Sequence, residues 1–504
     1  MTAAEGTKRE TIAVSVPTFG ALGDAFERYK LLLAIATGGL VLRFWLVVGA
    51  RPACNGSNFE PGAGFPPPAP LEPPRCLRLT GDSLFNYMQG KMLAEGKGFG
   101  NGFAYLDSGQ VVPSAGKPPL FPLYLAILQK LGLHTVDQQR LGTSVLGAVG
   151  IVLLGLLAWR LAGRRAGLIA AGIAALSPLL FVNDGRVMVE SMYVPLIAGV
   201  LLAAFSFWAK PDVRHAVGLG VVLALASLAR SEASQLFALL VIPLLLSLPR
   251  LTIKQRATLF GVIVATGFVV LLPWVARNLA TFKEPTFIQF GTGSVLLNGQ
   301  CDAAYYTDSD AYGLENFKCF QGDAAPLIAE LIKPKARDES QVDAEMRKMG
   351  LDYLKANLGR VPVMVAYREG RVWELYQPID NIDKNYRFED RGKPESVLGL
   401  VAYVLTMPLA IYGLVLLRRR RLPISPFLSL VVMVSLAVAA AFGIIRFRVA
   451  VDAAAVVLAA IAIDAILTRS GRPTLDVPPS FPSPQRWREL RSVKASTITT
   501  VAKG

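Results

Sequence analysis

Histidine is nearly absent from this 504-residue chain: only His134 and His215 occur, and each stands alone. A histidine-rich metal site and a histidine-based nucleophile triad are therefore not expected. Charge is scarce as well. Asp, Glu, Lys and Arg make up 18% of the residues, against about 25% in soluble domains. Cysteine is limited to four positions in 504 residues, far too sparse for a disulfide-dense small scaffold. Apolar residues, by contrast, reach 53% and gather in long runs, which excludes a disordered or collagen-like chain. The composition is that of an all-α polytopic membrane protein.

A helix needs about 20 apolar residues to cross the hydrocarbon layer. Ten spans are predicted, near 29–50, 141–160, 166–183, 190–208, 216–230, 234–248, 257–275, 396–417, 424–444 and 450–467. The stretch 118–133 is apolar but shorter and interrupted by proline, and reads as a re-entrant or interfacial piece. If it spans, everything after it reverses orientation. Positive charge marks the cytoplasmic loops. With the N-terminus inside, the short inner loops carry twelve basic residues: Arg160, Arg164, Arg165, Lys210, Arg214, Arg250, Lys254, Arg256, Arg418, Arg419, Arg420 and Arg421. That bias favours ten spans with both termini cytoplasmic. The same inner charge and the basic tail account for much of the net +15, so nucleic acid is not an expected partner.

Cysteine placement points the same way. Cys54, Cys76, Cys301 and Cys319 all fall in the two long loops assigned to the outside, where disulfides persist. Pairing Cys54 with Cys76 and Cys301 with Cys319 is the simplest of three connectivities, with four free thiols as the other reading. The expected organisation is a cytoplasmic segment 1–28, acting with the first span as an uncleaved anchor, and a transmembrane core 29–275 that includes the first outer loop 51–140. An extracytoplasmic α-rich domain 276–395, C-terminal transmembrane helices 396–467 and a basic tail 468–504 complete it. Within the first loop, the Pro-rich stretch Phe65-Pro66-Pro67-Pro68-Ala69-Pro70 reads as stiff and extended. After it, Leu84, Phe85, Met88 and Met92 share one helical face, so 83–95 is predicted as an amphipathic helix on the membrane surface with Asp82 at its N-cap.

Ionisable groups near hydrocarbon are costly and usually functional. Here they converge on the predicted outer ends of many helices: Asp82, Lys117, Arg140, Asp184, Arg186, Glu190, Arg230, Glu232, Arg277, Arg446, Arg448 and Asp452. Asp184–Arg186, Arg230–Glu232 and Arg448–Asp452 read equally well as structural ion pairs. A zone of this kind suits an anionic, lipid-linked substrate: cations neutralise a phosphate and a carboxylate takes a proton from an attacking hydroxyl.

The order of elements is more specific than any one of them. Gly81-Asp82-Ser83 with Tyr87 opens the first-loop helix, followed by Glu95-Gly96-Lys97-Gly98-Phe99-Gly100 and Lys117-Pro118-Pro119-Leu120. Val189-Glu190-Ser191-Met192-Tyr193, Leu228-Ala229-Arg230, Pro273-Trp274 with Arg277-Asn278, and Arg446-Phe447-Arg448 come later. This arrangement resembles the GT-C superfamily of glycosyltransferases, in particular family 39, over about 29–290 and 396–467. That family contains the dolichyl-phosphate-mannose protein mannosyltransferases, and the aminoarabinose lipid A transferase is a related enzyme.

The resemblance implies a GT-C helical bundle in a plasma membrane, of bacterial type, with its active site extracytoplasmic. It implies transfer of a hexosyl or pentosyl group from a polyprenyl-phosphate donor to a hydroxyl on a lipid, glycan or protein acceptor, with inversion. Asp82 matches the essential carboxylate and Glu190 the second family acid, where Asp is more usual. Lys117 matches the phosphate-contacting lysine, with Arg277, Arg446 and Arg448 at basic positions facing the donor phosphate. Tyr87, Arg140, Asp184, Arg186, Arg230 and Asn278 are pocket candidates. No cofactor is expected, and a divalent metal is compatible but not required. The rival reading is a polytopic lipid or glycan transporter or flippase, against which stand the lack of an inverted repeat and the position of the charges at helix ends rather than mid-helix.

Overall fold

The computed structural model describes residues 19–54, 59–62, 76–306, 312–314, 316–332, 337–389 and 392–469. Among these residues the chain is built from helices, with no strand beyond two isolated bridges. The Pro-rich stretch at 65–70 and the basic tail beyond 469 lie outside the described residues.

In chain order the helices are α1 (Phe19–Trp45), α2 (Gly81–Ala94), α3 (Gly102–Ser108), α4 (Leu120–Lys130), α5 (Val136–Ala162), α6 (Arg164–Leu176) and α7 (Pro178–Asp184). They continue with α8 (Glu190–Ala209), α9 (Val213–Ala229), α10 (Leu236–Leu239), α11 (Val241–Leu246) and α12 (Ile253–Thr281). Six helices follow before the chain returns to the bundle: α13 (Thr292–Asn298), α14 (Asp302–Tyr305), α15 (Ala325–Ile332), α16 (Glu339–Ala356), α17 (Val361–Val372) and α18 (Pro378–Glu389). The last three are α19 (Lys393–Arg419), α20 (Ser425–Ala440) and α21 (Val449–Arg469).

Among the described residues, six helical segments are long and apolar enough to cross a membrane: Glu27–Ala50, Val136–Ala162, Glu190–Ala209, Ile253–Thr281, Lys393–Arg419 and Ile445–Thr468. α6 and α7 together pass the same test but bend by 56°. The bend falls at Ser177-Pro178, where proline supplies no N–H to continue the ladder. The three remaining predicted spans fall on the shorter apolar helices Val213–Ala229, Ser231–Leu246 and Ser425–Ala440. α4, with 11 residues, is about 16 Å long, roughly half a bilayer core.

α21 is the central post. Its sequence is dominated by Ala, Val and Ile, and 83% of its most apolar window is buried. Its many alanines are small enough for neighbouring helices to approach it closely on several sides. α5, α6, α8, α19 and α20 pack around it. Gly413 on α19 shows how close the approach is, since a Cβ there would lie 2.0 Å from the Leu458 carbonyl oxygen. α12 and α19 instead expose Phe268, Val269, Val404 and Leu405 on the bundle's outside, as lipid-facing helices do.

The first-loop helix does not lie on a surface. In α2 nearly every side, polar residues included, is buried: Asn86, Tyr87, Met88 and Gln89 are all covered. α3 and α4 pack against it, and Gly90 lets the Leu125 side chain of α4 come into contact. Met88, Met92, Phe121 and Leu125 form the shared core. The apolar face was legible, but the partner for the polar face was not.

Asp184 pairs with Arg43 rather than with Arg186. The Arg43 Nε to Asp184 Oδ2 distance is 2.6 Å, and both side chains are almost fully buried. Arg43 also donates to the carbonyls of Gly39 and Ala175, at 3.1 and 3.0 Å. This ties α1, α6 and α7 together. Removing one member of a buried pair strands the other, which typically costs about 3–5 kcal/mol. Arg43→Ala is therefore expected to lower the thermal unfolding temperature of the detergent-solubilised protein sharply, whereas Lys30→Ala, at an exposed ion pair with Glu27, leaves it nearly unchanged.

Candidate active site

α2 begins with Thr80, not Asp82, as its cap. The Thr80 N–H donates to Ser83 Oγ at 3.1 Å, and Gly81, at φ 48°, takes the left-handed turn that enters the helix. Asp82 falls inside the first turn, which frees its carboxylate to reach outward. Lys117 arrives just before Pro118-Pro119 and α4, and its Nζ lies 2.7 Å from Asp82 Oδ1. Arg446 arrives from the 3₁₀ turn Ile445–Arg448 ahead of α21, and its Nη2 lies 2.9 Å from Asp82 Oδ2. Each carboxylate oxygen thus holds one cation.

The charges continue beyond Asp82. Arg446 Nε lies 3.5 Å from Glu190 Oε1 at the start of α8. Arg230, at the end of α9, bridges Glu190 and Glu232. Its guanidinium also lies over the rings of Tyr193 and Phe447. Glu190 is 1% exposed, while the Asp82 side chain keeps 34% and Lys117 28% of their surface open. The network therefore runs from the part-exposed Asp82 and Lys117 through the buried Glu190 to Arg230 and Glu232. Burial alone raises the Asp82 carboxyl, but Lys117 and then Arg446 outweigh it and hold it well below the usual carboxylate range.

The other predicted residues stand around this centre without entering it. Arg277 donates to the carbonyls of Ser114 and Phe99, at 3.0 and 2.9 Å, under the rings of Phe99, Trp274 and Phe282. It braces the segment that ends at Lys117 rather than pairing with Asp82. Asn278 is fully buried, accepting from Arg277 and donating to the Phe287 carbonyl. Arg448 sits two residues from Arg446 on a 3₁₀ turn, where such residues point about 120° apart around the axis. It pairs with Asp452 at 2.9 Å, donates to the Val372 carbonyl at 2.7 Å and covers the Tyr403 ring. Arg140 pairs with Asp137 and donates to the Gly185 carbonyl, both at 2.6 Å. Asp137 in turn accepts from the Ala53 N–H beside Cys54. Tyr87 donates to the His134 carbonyl, and burial, with Glu60 nearby, pushes its phenol up to about 12. Asp184 belongs to the Arg43 pair, and Arg186 is buried in the turn leading to Glu190. Cys54–Cys76 and Cys301–Cys319 are both disulfides.

Glu339 escaped sequence reasoning. It is 2% exposed at the start of α16 and accepts from Asn101 of the first loop. Asn101 also donates to the Leu331 carbonyl and caps α3 through the N–H groups of Phe103 and Ala104. The capping box Asp338–Gln341 announced the helix start, but nothing local announced that Glu339 would be buried against a segment more than 200 residues earlier. Among the described residues no group of three or more His, Cys, Asp or Glu is placed to hold a metal ion.

Burial pushes the Glu339 carboxyl up to about 8, against the opposing pull of Asn101, Ser114 and Arg277. A raised carboxyl contributes stability that is complete below its usual 4.5 and is lost as pH rises through about 8. Unfolding temperature measured across that window is expected to fall with rising pH, and Glu339→Gln, which cannot ionise, should flatten the decline.

Residues 116–276 match the family model described as dolichyl-phosphate-mannose-protein mannosyltransferase. No curated protein matches the chain. Among solved structures, the archaeal oligosaccharyltransferase AglB from Archaeoglobus fulgidus, in complex with an inhibitory peptide and a dolichol-phosphate, is similar at 14% identity and a TM-score of 0.48, covering 95% of this chain and 55% of that one. The Archaeoglobus fulgidus oligosaccharyltransferase in complex with Zn and sulfate is similar at 13% identity and a TM-score of 0.47, covering 87% and 49%. ArnT from Cupriavidus metallidurans, bound to undecaprenyl phosphate, is similar at 16% identity and a TM-score of 0.37, covering 88% and 79%. The chain spans about half the length of the archaeal oligosaccharyltransferases it matches.

Proposed function

We propose that this chain, a GT-C superfamily member through residues 116–276, transfers a sugar from a polyprenyl-phosphate donor to a hydroxyl acceptor on the extracytoplasmic side of a membrane. The observation that carries the reading is the meeting of Asp82, Lys117 and Arg446, from three distant parts of the chain, at a partly open mouth. The family description, which names a dolichyl-phosphate-linked sugar, supports the donor class. Disulfides in both long loops support the outer placement, as does the arginine-rich character of the short loops on the other side.

In this reading the donor phosphate binds between Lys117 and Arg446. The acceptor hydroxyl gives its proton to Asp82 as its oxygen attacks the anomeric carbon from the face opposite the phosphate. The bond from that carbon to the phosphate oxygen breaks, its electron pair stays on the phosphate, and the anomeric centre inverts. Fixed cations stabilise the leaving group without reorganising at the moment of reaction. Glu190 and Arg230 keep the Arg446 guanidinium aimed at the mouth. Arg277 and Arg448 act one step back, holding the segments that carry Lys117 and Arg446.

Transfer of labelled sugar from polyprenyl-phosphate donors in proteoliposomes tests the proposal. Asp82→Asn is expected to lower turnover by about 10²–10⁴-fold, the usual contribution of a general base, while membrane insertion and a monodisperse elution profile persist. Near wild-type turnover in that variant overturns the assignment. Movement of donor lipid across the bilayer without sugar transfer replaces the enzyme with a flippase.

A further inference from the structure

Lys117 and Arg446 hold the two separate oxygens of one carboxylate, at 2.7 and 2.9 Å. Asp82 is the only acid within ion-pair distance of Lys117 among the described residues. Around them the charges balance: Lys117, Arg446 and Arg230 face Asp82, Glu190 and Glu232. Among the described residues, Lys117 and Arg446 are thus both already paired with an acid at this mouth. A phosphate that binds between Lys117 and Arg446 shares them with Asp82, whose charge already offsets part of theirs.

The reaction itself shifts that sharing. An intact donor is a phosphodiester carrying one negative charge. The product lipid phosphate is a monoester and carries close to two near neutral pH, since its second ionisation lies near pH 6. One unit of negative charge therefore appears on the phosphate during transfer. In the same event Asp82 accepts the acceptor's proton and loses one unit. The O–H bond breaks toward Asp82, the new carbon–oxygen bond forms, and the electron pair of the broken bond goes to the phosphate. The sum of charge in the site is unchanged throughout.

Resting on the transfer reading above, we infer that Lys117 and Arg446 are shared counter-ions, held by Asp82 before the reaction and handed to the emerging second charge of the phosphate as Asp82 is protonated. Neither cation is left without an anion, and no net charge develops where solvation is poor. That matters most where the network runs inward to the buried Glu190. A carboxylate used only as a base would need no contact with either cation. One used only as a structural tie would gain nothing from lying between them at an open mouth.

The consequence runs against intuition: neutralising the proposed base should improve binding of the product. The full chain in nanodiscs is titrated with sugar-free polyprenyl monophosphate at about pH 8, above the second phosphate ionisation. Asp82→Asn, which imitates the protonated carboxyl, is expected to bind about tenfold more tightly than wild type, the effect of removing one offsetting negative charge. Asp82→Ser serves the same purpose if the amide variant does not insert. Asp82→Glu keeps the charge and should show no gain. Adding Lys117→Ala to Asp82→Asn should erase the gain. Equal or weaker binding by both neutral variants, with unfolding temperatures near wild type, overturns the handover and leaves the transfer reading standing. Failure of wild type to bind the monophosphate at all, in a preparation that is folded, counts against the transfer reading itself.

Discussion

One carboxylate with two cations organises this protein. Asp82 and Arg446 are separated by 364 positions, yet their side chains are hydrogen-bonded. Lys117, 35 residues from Asp82, completes the set. For these groups to meet, the first-loop helix must sit against the bundle at a fixed height, and the turn ahead of the central helix must open toward it. Much of the surrounding structure reads as the means to those two ends. α2 is buried between α3 and α4, which fixes the position of its first turn. α21 is encased on all sides, which fixes the turn that precedes it.

The arginines divide by what they face. Arg446 faces carboxylates beside the part-exposed Asp82, Arg277 and Arg368 donate to backbone carbonyls at places where the chain changes direction, and Arg448 does both through Asp452 and the Val372 carbonyl. A guanidinium has five donors in a planar fork, so one side chain can tie several segments at once. Arg371 is the fullest case. It reaches the Tyr312 carbonyl, Asp380, Asn381 and Gln377 and lies over the Tyr376 ring. Arg371 thus ties the end of α17 to the start of α18 and to Tyr312.

The sequence disclosed the helices of the bundle through their apolar runs, whereas the bend at Ser177-Pro178 within the 166–183 span emerged only in the structure. Asp82, Lys117, Arg446, Glu190 and Arg230 were legible because charge is expensive beside hydrocarbon and these residues stand at helix ends. Beside the burial of Glu339 and of α2, three further things were not. Arg43 lies inside an apolar run, and only folding brings Asp184 to it. The divergence of Arg446 from Arg448 depends on a 3₁₀ turn, which carries no sequence mark of its own. The cap of α2 shifted to Thr80 because a glycine at positive φ lets the chain enter the helix two residues earlier than the acid suggested. Each miss concerns direction in space rather than residue chemistry.

The clasp between Asn101 and Glu339 has an engineering implication. The 99–114 stretch that delivers Lys117 is gripped from below by Arg277 and from the side by the first turn of α16. The polypeptide between the seventh and eighth apolar stretches is therefore no detachable accessory. Grafting a foreign insert in its place would slacken the tether of the lysine, so chimaeras that preserve every bundle helix should still lose the alignment of the cationic pair.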